Sequence, residues 1–256
     1  MKIATIVLTL AVGFSLQATP AKSQDDDFKF FDASWKKVKE KNAVYLLRIR
    51  QLGDTLWQYS YYNIYGPLVR IETYQDKKGT IRQGLFAWYN EEGWMDSSGY
   101  YYQGLPDKNW IYPDSTGKVH KAKYYDKGIP LSEKEHSDRL KANEIVDPAY
   151  PDFSRLSPES YFPGGPTGWL EYLNQNLHYP ARAINNRVQG RVLAFFRVDP
   201  TGEIHEIQIL HSVELSIDDE AIRLFMSSPG WVPAIRFDRK VPSYKAQPVL
   251  FRLEPM

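Results

Sequence analysis

Residues 189–204 read QGRVLAFFRVDPTGEI, and their pattern decides the fold of the C-terminal part of the chain. Val192, Ala194, Phe196 and Val198 alternate with their neighbours, which predicts one buried face of a strand from Arg191 to Asp199. Asp199-Pro200-Thr201-Gly202 is a turn, so the chain should return as a second strand over Glu203 to Ser212. Further on, Ser216 precedes Ile217, Asp218 and Asp219, an acidic start suited to a helix dipole. Ile217, Ala221, Leu224 and Phe225 stand at i, i+4, i+7 and i+8 and mark the buried face of that helix. Gly230 ends it, and a last strand runs from about Tyr244 to Leu253. Working back towards the N-terminus, Pro163-Gly164-Gly165-Pro166 is a turn. Thr167 is expected to cap a helix carrying Trp169, Leu170, Leu173 and Leu177. Tyr179-Pro180 stops that helix, and Pro180 opens a short second one through Ala181, Ala183 and Ile184. The expected order is α-α-β-β-α-β, with a three-stranded antiparallel sheet.

Phe28 to Gly128 follows another rule. Gly84-Leu85-Phe86-Ala87-Trp88-Tyr89 leads to Gly93 and then to Gly99-Tyr100-Tyr101-Tyr102-Gln103-Gly104. Lys108-Asn109-Trp110-Ile111-Tyr112 leads to Gly117 and then to Lys123-Tyr124-Tyr125-Asp126-Lys127-Gly128. The two stretches align at an offset in the low twenties, with a glycine between two aromatic runs, and a third, degenerate copy begins at Trp57. That pattern predicts repeated β-hairpins. It resembles MORN-type and related antitoxin-like hairpin repeats, and the rings are expected to pack one hairpin on the next. The fold class expected for the chain is therefore α+β. An N-terminal antiparallel hairpin-repeat module (24–130) and a charged linker (131–160) precede a small C-terminal domain (161–256). Ser132 to Glu144 is expected to form a short polar helix within the linker.

The C-terminal stretch also resembles the C-terminal domain of TonB-type energy transducers. The residues that carry the likeness are Tyr179-Pro180 with Ala181, then Gln189-Gly190-Arg191-Val192, Phe196-x-Val198-Asp199 and Gly202. Ile207-x-Ile209, Ser212, Asp218-x-Glu220-Ala221, Pro229-Gly230-Trp231-Val232-Pro233-Ala234, Val241-Pro242 and Pro248-Val249-x-Phe251-x-Leu253 follow. On physical grounds Gly190 should turn the chain into the first strand, and Trp231 with Pro233 should pin an irregular linker across the end of the sheet. The resemblance implies that the domain binds the short "TonB box" peptide of a TonB-dependent outer-membrane receptor by strand addition. The edge would be the last strand, with Lys245, Gln247, Val249 and Phe251 contributing backbone more than side chain. It also implies a possible homodimer through that strand, and a proton-driven motor complex as partner if the N-terminus stays in the membrane.

Met1 to Ser23 reads as an export signal, with Lys2 ahead of an apolar run from Ile3 to Leu16 and small residues before a cut near Gln24. A periplasmic binding protein is expected; the alternatives are an inner-membrane anchor facing the periplasm and a structural protein whose MORN-like repeats bind a partner. Composition narrows the classes of function. Among 256 residues, 32 Lys+Arg against 31 Asp+Glu leave no bulk attraction for nucleic acid. The absence of cysteine excludes disulfides, thiolate metal sites and cysteine nucleophiles. His205 and His211, six apart on one expected strand, are too far apart to share a metal, and the Pro163–Gly168 stretch is a turn rather than a phosphate loop. Asp218, Asp219 and Glu220 are explained by the helix start. No catalytic, cofactor-binding or metal-ligating residue is expected, and no enzyme.

Overall fold

Alternation of rings and small residues makes strands of nearly everything between Asp27 and Leu131. The computed structural model describes residues 26–114, 119–135 and 159–253. The export segment, the turn at Gly117 and residues 136–158 of the charged linker lie outside them, with most of the helix expected over Ser132 to Glu144. Nine strands follow one another as an antiparallel meander: β1 (Asp27–Phe31), β2 (Tyr45–Gln51), β3 (Trp57–Asn63), β4 (Leu68–Tyr74), β5 (Gly84–Tyr89), β6 (Met95–Tyr102), β7 (Leu105–Pro113), β8 (Val119–Asp126) and β9 (Ile129–Leu131). Each strand pairs with its neighbours in sequence. The aligned aromatic runs become the hairpins β5–β6 and β7–β8, and Trp57 opens β3.

One face of this sheet carries a file of rings, one from each strand in turn. Tyr59, Tyr74, Phe86, Tyr101, Trp110 and Tyr125 follow each other with centroids 5.2, 5.6, 4.7, 5.2 and 6.4 Å apart. Most of these contacts are edge-to-face, the arrangement that ring quadrupoles favour. Gly99 makes room for the file: a Cβ there would lie 2.2 Å from the Trp110 ring, so the indole lies flat across bare backbone. The other face holds Leu46, Tyr62, Leu68, Ala87, Tyr89 and Met95, and these belong to the same buried cluster as the C-terminal residues. The meander therefore has a layer of its own rings on one side and the rest of the protein on the other.

The C-terminal unit contains α1 (Gly165–Asn176), α2 (Ala181–Asn185), β10 (Gly190–Val198), β11 (Ile204–His211), α3 (Leu215–Met226), the two-stranded hairpin β12 (Ala234–Arg236) and β13 (Arg239–Val241), and β14 (Ser243–Phe251). Its main sheet has the order β11-β10-β14, all antiparallel. Val192, Ala194, Phe196 and Val198 are fully buried on the face that the sequence indicates, and Ile217, Ala221, Leu224 and Phe225 of α3 are buried too. Trp231 lies among Phe162, Trp169 and Phe196 with centroids 5.5, 5.7 and 5.0 Å away.

Several local expectations are corrected. The first helix is capped by Gly164 at φ 78°, ahead of Pro166, and not by Thr167; the proline supplies the helical φ that starts the turn earlier. The helix expected after Ser216 starts at Leu215, because the Glu214 carboxylate accepts a hydrogen bond from Ser216 N at 2.8 Å and acts as the cap. The stretch after Trp231 is not an irregular linker alone but contains the β12–β13 hairpin. Gly190 packs rather than turns: a Cβ there would come within 2.9 Å of the Val213 side chain. β11 is not a plain strand: Glu206 takes φ 56° and its register against β10 shifts twice.

Candidate functional site

An extended peptide can add to this protein only where a strand has an unoccupied side, so the site is built from the edges of the C-terminal sheet. β14 pairs with β10 without interruption from Gly190↔Phe251 to Val198↔Ser243. Among the described residues no strand pairs with its other side. Within the ladder stands Pro248, opposite Leu193. Proline has no N–H to give, so an unbroken register requires it at a position whose nitrogen faces away from β10. Antiparallel pairs alternate between bonded and non-bonded, which gives Ala246 and Leu250 the same outward phase. The odd-numbered residues then hold β10. Val249 and Phe251 bury their side chains in the core, while Leu250 is 53% exposed. Lys245 forms an ion pair with Glu159 at 3.7 Å. Phe251 sits against Tyr179, whose hydroxyl donates to Val188 O at 2.7 Å.

The opposite edge of the sheet meets the meander at one end. Trp94 bridges to His211, the last residue of β11, with the rings 4.2 Å apart. Ser212 N donates to Gly93 O at 2.9 Å. Gly93 has φ 86° at the β5–β6 turn, and a Cβ there would lie 2.3 Å from Ser212 O, so only glycine permits both the turn and this approach. The meander thus caps the end of β11 at His211 and Ser212, while Ile204–Leu210 pair with no second strand among the described residues.

Behind the sheet the two parts meet around a buried carboxyl. Asp218 is fully buried and accepts hydrogen bonds from Ser212 Oγ at 2.5 Å and Val213 N at 3.0 Å. Tyr62 of β3 hydrogen-bonds it as well, and Leu68 N of β4 donates to Ser212 Oγ at 2.8 Å. Burial pushes the Asp218 carboxyl up to about 7, with Asp219 adding to the rise and the hydrogen bonds opposing it. Burial also raises Tyr62 well above its usual value, and the nearby Asp218 adds to this. Arg48 of β2 reaches across to Asp219. Arg182 of α2 pairs with Glu214 at 2.6 Å and donates to Ile64 O. Tyr89 donates its hydroxyl to Ile209 O at 2.8 Å. The acidic start of α3 is therefore more than a helix-dipole device, because Asp218 and Asp219 are contacts to the meander. Glu220 binds Arg223 at 2.7 Å and accepts from His178 N at 2.7 Å.

The motif residues form packing pairs. Gly202, with φ 95°, leaves no room for a side chain: a Cβ would lie 2.2 Å from Trp231 O, and Trp231 N donates to Gly202 O at 2.8 Å. Pro180 stands at the N-cap of α2, and Pro233 is buried beside Ala234. Sequence reasoning missed one cluster. Asp199, Glu203 and His205 come together at the β10–β11 turn with their ligand atoms within 4.8 Å of one another. The Asp199 oxygens already accept from Thr201 N and Oγ, Glu203 N and His205. Those bonds hold its carboxyl well below the usual range although slight burial works the other way, and they account for the cluster as a turn.

Comparison with known proteins bears on this geometry. Residues 175–253 match the family of the Gram-negative bacterial TonB protein C-terminal. The match spans less than a third of the chain and runs from the end of α1 to just past β14. No curated protein matches the sequence.

Proposed function

Taking residues 175–253 as a TonB C-terminal-type domain, we propose that the protein is a periplasmic binding protein of TonB-dependent transport. It docks an extended segment of an outer-membrane receptor on β14. The observation that carries this reading is the one-sided pairing of β14, whose outer side no strand of the described residues occupies. On this reading the backbone groups offered to the peptide belong to Ala246 and Leu250. Lys245, Gln247, Val249 and Phe251, whose own backbone serves β10, hold the strand in place. Pro248 interrupts the donor row and divides the docking edge into two short segments. A second copy pairing through the same strand would compete with the receptor peptide.

Export with cleavage near Gln24 belongs to the same proposal. Among the described residues no helix is long and apolar enough to cross a membrane. N-terminal sequencing of exported material that begins near Gln24 supports a released protein. An intact Met1 supports the anchored transducer that works with a motor complex. The test of docking is a pair of proline variants with a receptor-derived peptide. Leu250→Pro removes an outward donor and should abolish binding while the domain stays folded. Val249→Pro removes a ladder donor and should unfold it. Chemical-shift changes confined to residues 84–128, with 245–252 silent, defeat the reading and move binding to the meander.

A further inference from the structure

The β12–β13 hairpin ends in a tip that folding alone does not explain. Its two turn residues, Phe237 and Asp238, have φ 49° and 58°. Both central residues of such a two-residue turn need φ above zero, which favours asparagine and glycine and is unfavourable for a bulky ring. Phe237 is also 87% exposed, the most exposed of the large apolar side chains, and Ile235 beside it is 57% exposed. The Arg236 guanidinium lies over the ring, 5.6 Å from its centroid. Arg236, Arg239 and Lys240 are all exposed, so three cations and one anion, Asp238, surround the ring within four residues. The base of the hairpin is firm: Trp231 and Ala234 are buried, and Val232 pairs with Tyr161. A rigid stem therefore presents an aromatic ring ringed by positive charge.

We propose that this tip is a membrane-contact element, which places Phe237 in the interfacial layer of an anionic bilayer while Arg236, Arg239 and Lys240 engage lipid phosphates. The shape favours a lipid surface over a protein. A convex knob two residues wide offers little of the roughly 1,200–2,000 Å² that a stable protein interface buries. A bilayer needs only an apolar side chain to insert and cations to meet its headgroups. The inference stands apart from the docking edge, because it uses no residue of β14.

The test is flotation of the full-length chain, and of the same chain begun at Gln24, with phosphatidylglycerol–phosphatidylcholine vesicles and with phosphatidylcholine alone. The shorter chain removes the Ile3–Leu16 run as a rival source of binding. It should bind the anionic vesicles, lose binding as salt rises, and ignore the neutral ones. Phe237→Asn should weaken association about tenfold while melting at or above the parent temperature, since asparagine suits the left-handed turn. Arg236→Glu with Arg239→Glu should abolish it. Because the chain has no cysteine, Phe237→Cys carries a single environment-sensitive dye. Its emission should shift to the blue on anionic vesicles, and a dye at Glu91→Cys should not respond. Failure of the shorter chain to bind anionic vesicles, or equal binding by Phe237→Asn, overturns the proposal and points to a protein pocket as the occupant of the tip.

Discussion

The meander and the C-terminal unit are both antiparallel, yet they are stabilised differently. In the meander every strand pairs with the next in sequence, and one face is covered by its own file of rings. In the C-terminal unit the central strand β10 pairs with β11 and with β14, some fifty residues on, and its inner face is buried under α3. The first is a chain of near-neighbour contacts, in which loss of one ring is felt locally. The second closes one core through long-range pairing, so any large side chain in it is shared by several elements. Strand count is therefore a poor guide to where the stability resides.

The largest expected effect tests the second half of that contrast. Trp231→Ala and Phe196→Ala should each cost about 3–5 kcal/mol in chemical denaturation, as for deletion of buried aromatics in a close-packed core. A loss no greater than that of a surface ring would remove the distinction between the two regions.

The next test falls on the joint between them. Asp218 titrates at about 7 in the folded protein, above its ordinary carboxylate value, so the folded state holds the proton more tightly than the unfolded chain. That contribution is fully present below the unfolded value near 4 and is lost as pH rises to about 7. Stability should therefore fall by ~3–4 kcal/mol over that interval at 1.36 kcal/mol per unit. Asp218→Asn should flatten the profile, and urea titrations of both proteins from pH 4 to 8 measure it. Parallel profiles would show that the meander and the C-terminal unit are not coupled through this carboxyl.

The smallest effect is expected at the end of the ring file. Tyr125 touches Trp110 at 6.4 Å and is half-buried, so Tyr125→Ala should cost only about 1 kcal/mol. Hydrogen exchange should show the loosening in β7 and β8 with β10 unchanged. Loss of protection throughout β10 would show instead that the meander unfolds as one body with the C-terminal core.

Legibility followed the range of the interaction. Alternation in 191–199 and the helical spacing of Ile217, Ala221, Leu224 and Phe225 place the inner faces correctly, because period 2 and period 3.6 are backbone geometry. The helix caps stand two and three residues earlier than expected, since a carboxylate at Glu214 and a left-handed Gly164 each offer an alternative start. A helix start is all that the sequence shows of Asp218, and no local pattern reveals that Tyr62 and Ser212 enclose it. The cluster of Asp199, Glu203 and His205 escapes a strand pattern because the turn folds Asp199 back onto Glu203 and His205.

By itself the sequence determined the strands of the three-stranded sheet, the repeated hairpins, the helix faces and the family match of residues 175–253, all of which rest on contacts a few residues apart or on a motif. Tertiary structure decided where the small sheet meets the meander. Gly93 and Trp94 approach His211 and Ser212 across more than a hundred residues and cap the end of β11. Pro248 then sets the phase of the other side through its register with Leu193. Edge occupancy depends on how separately formed sheets are brought together, and no periodicity within either sheet encodes that.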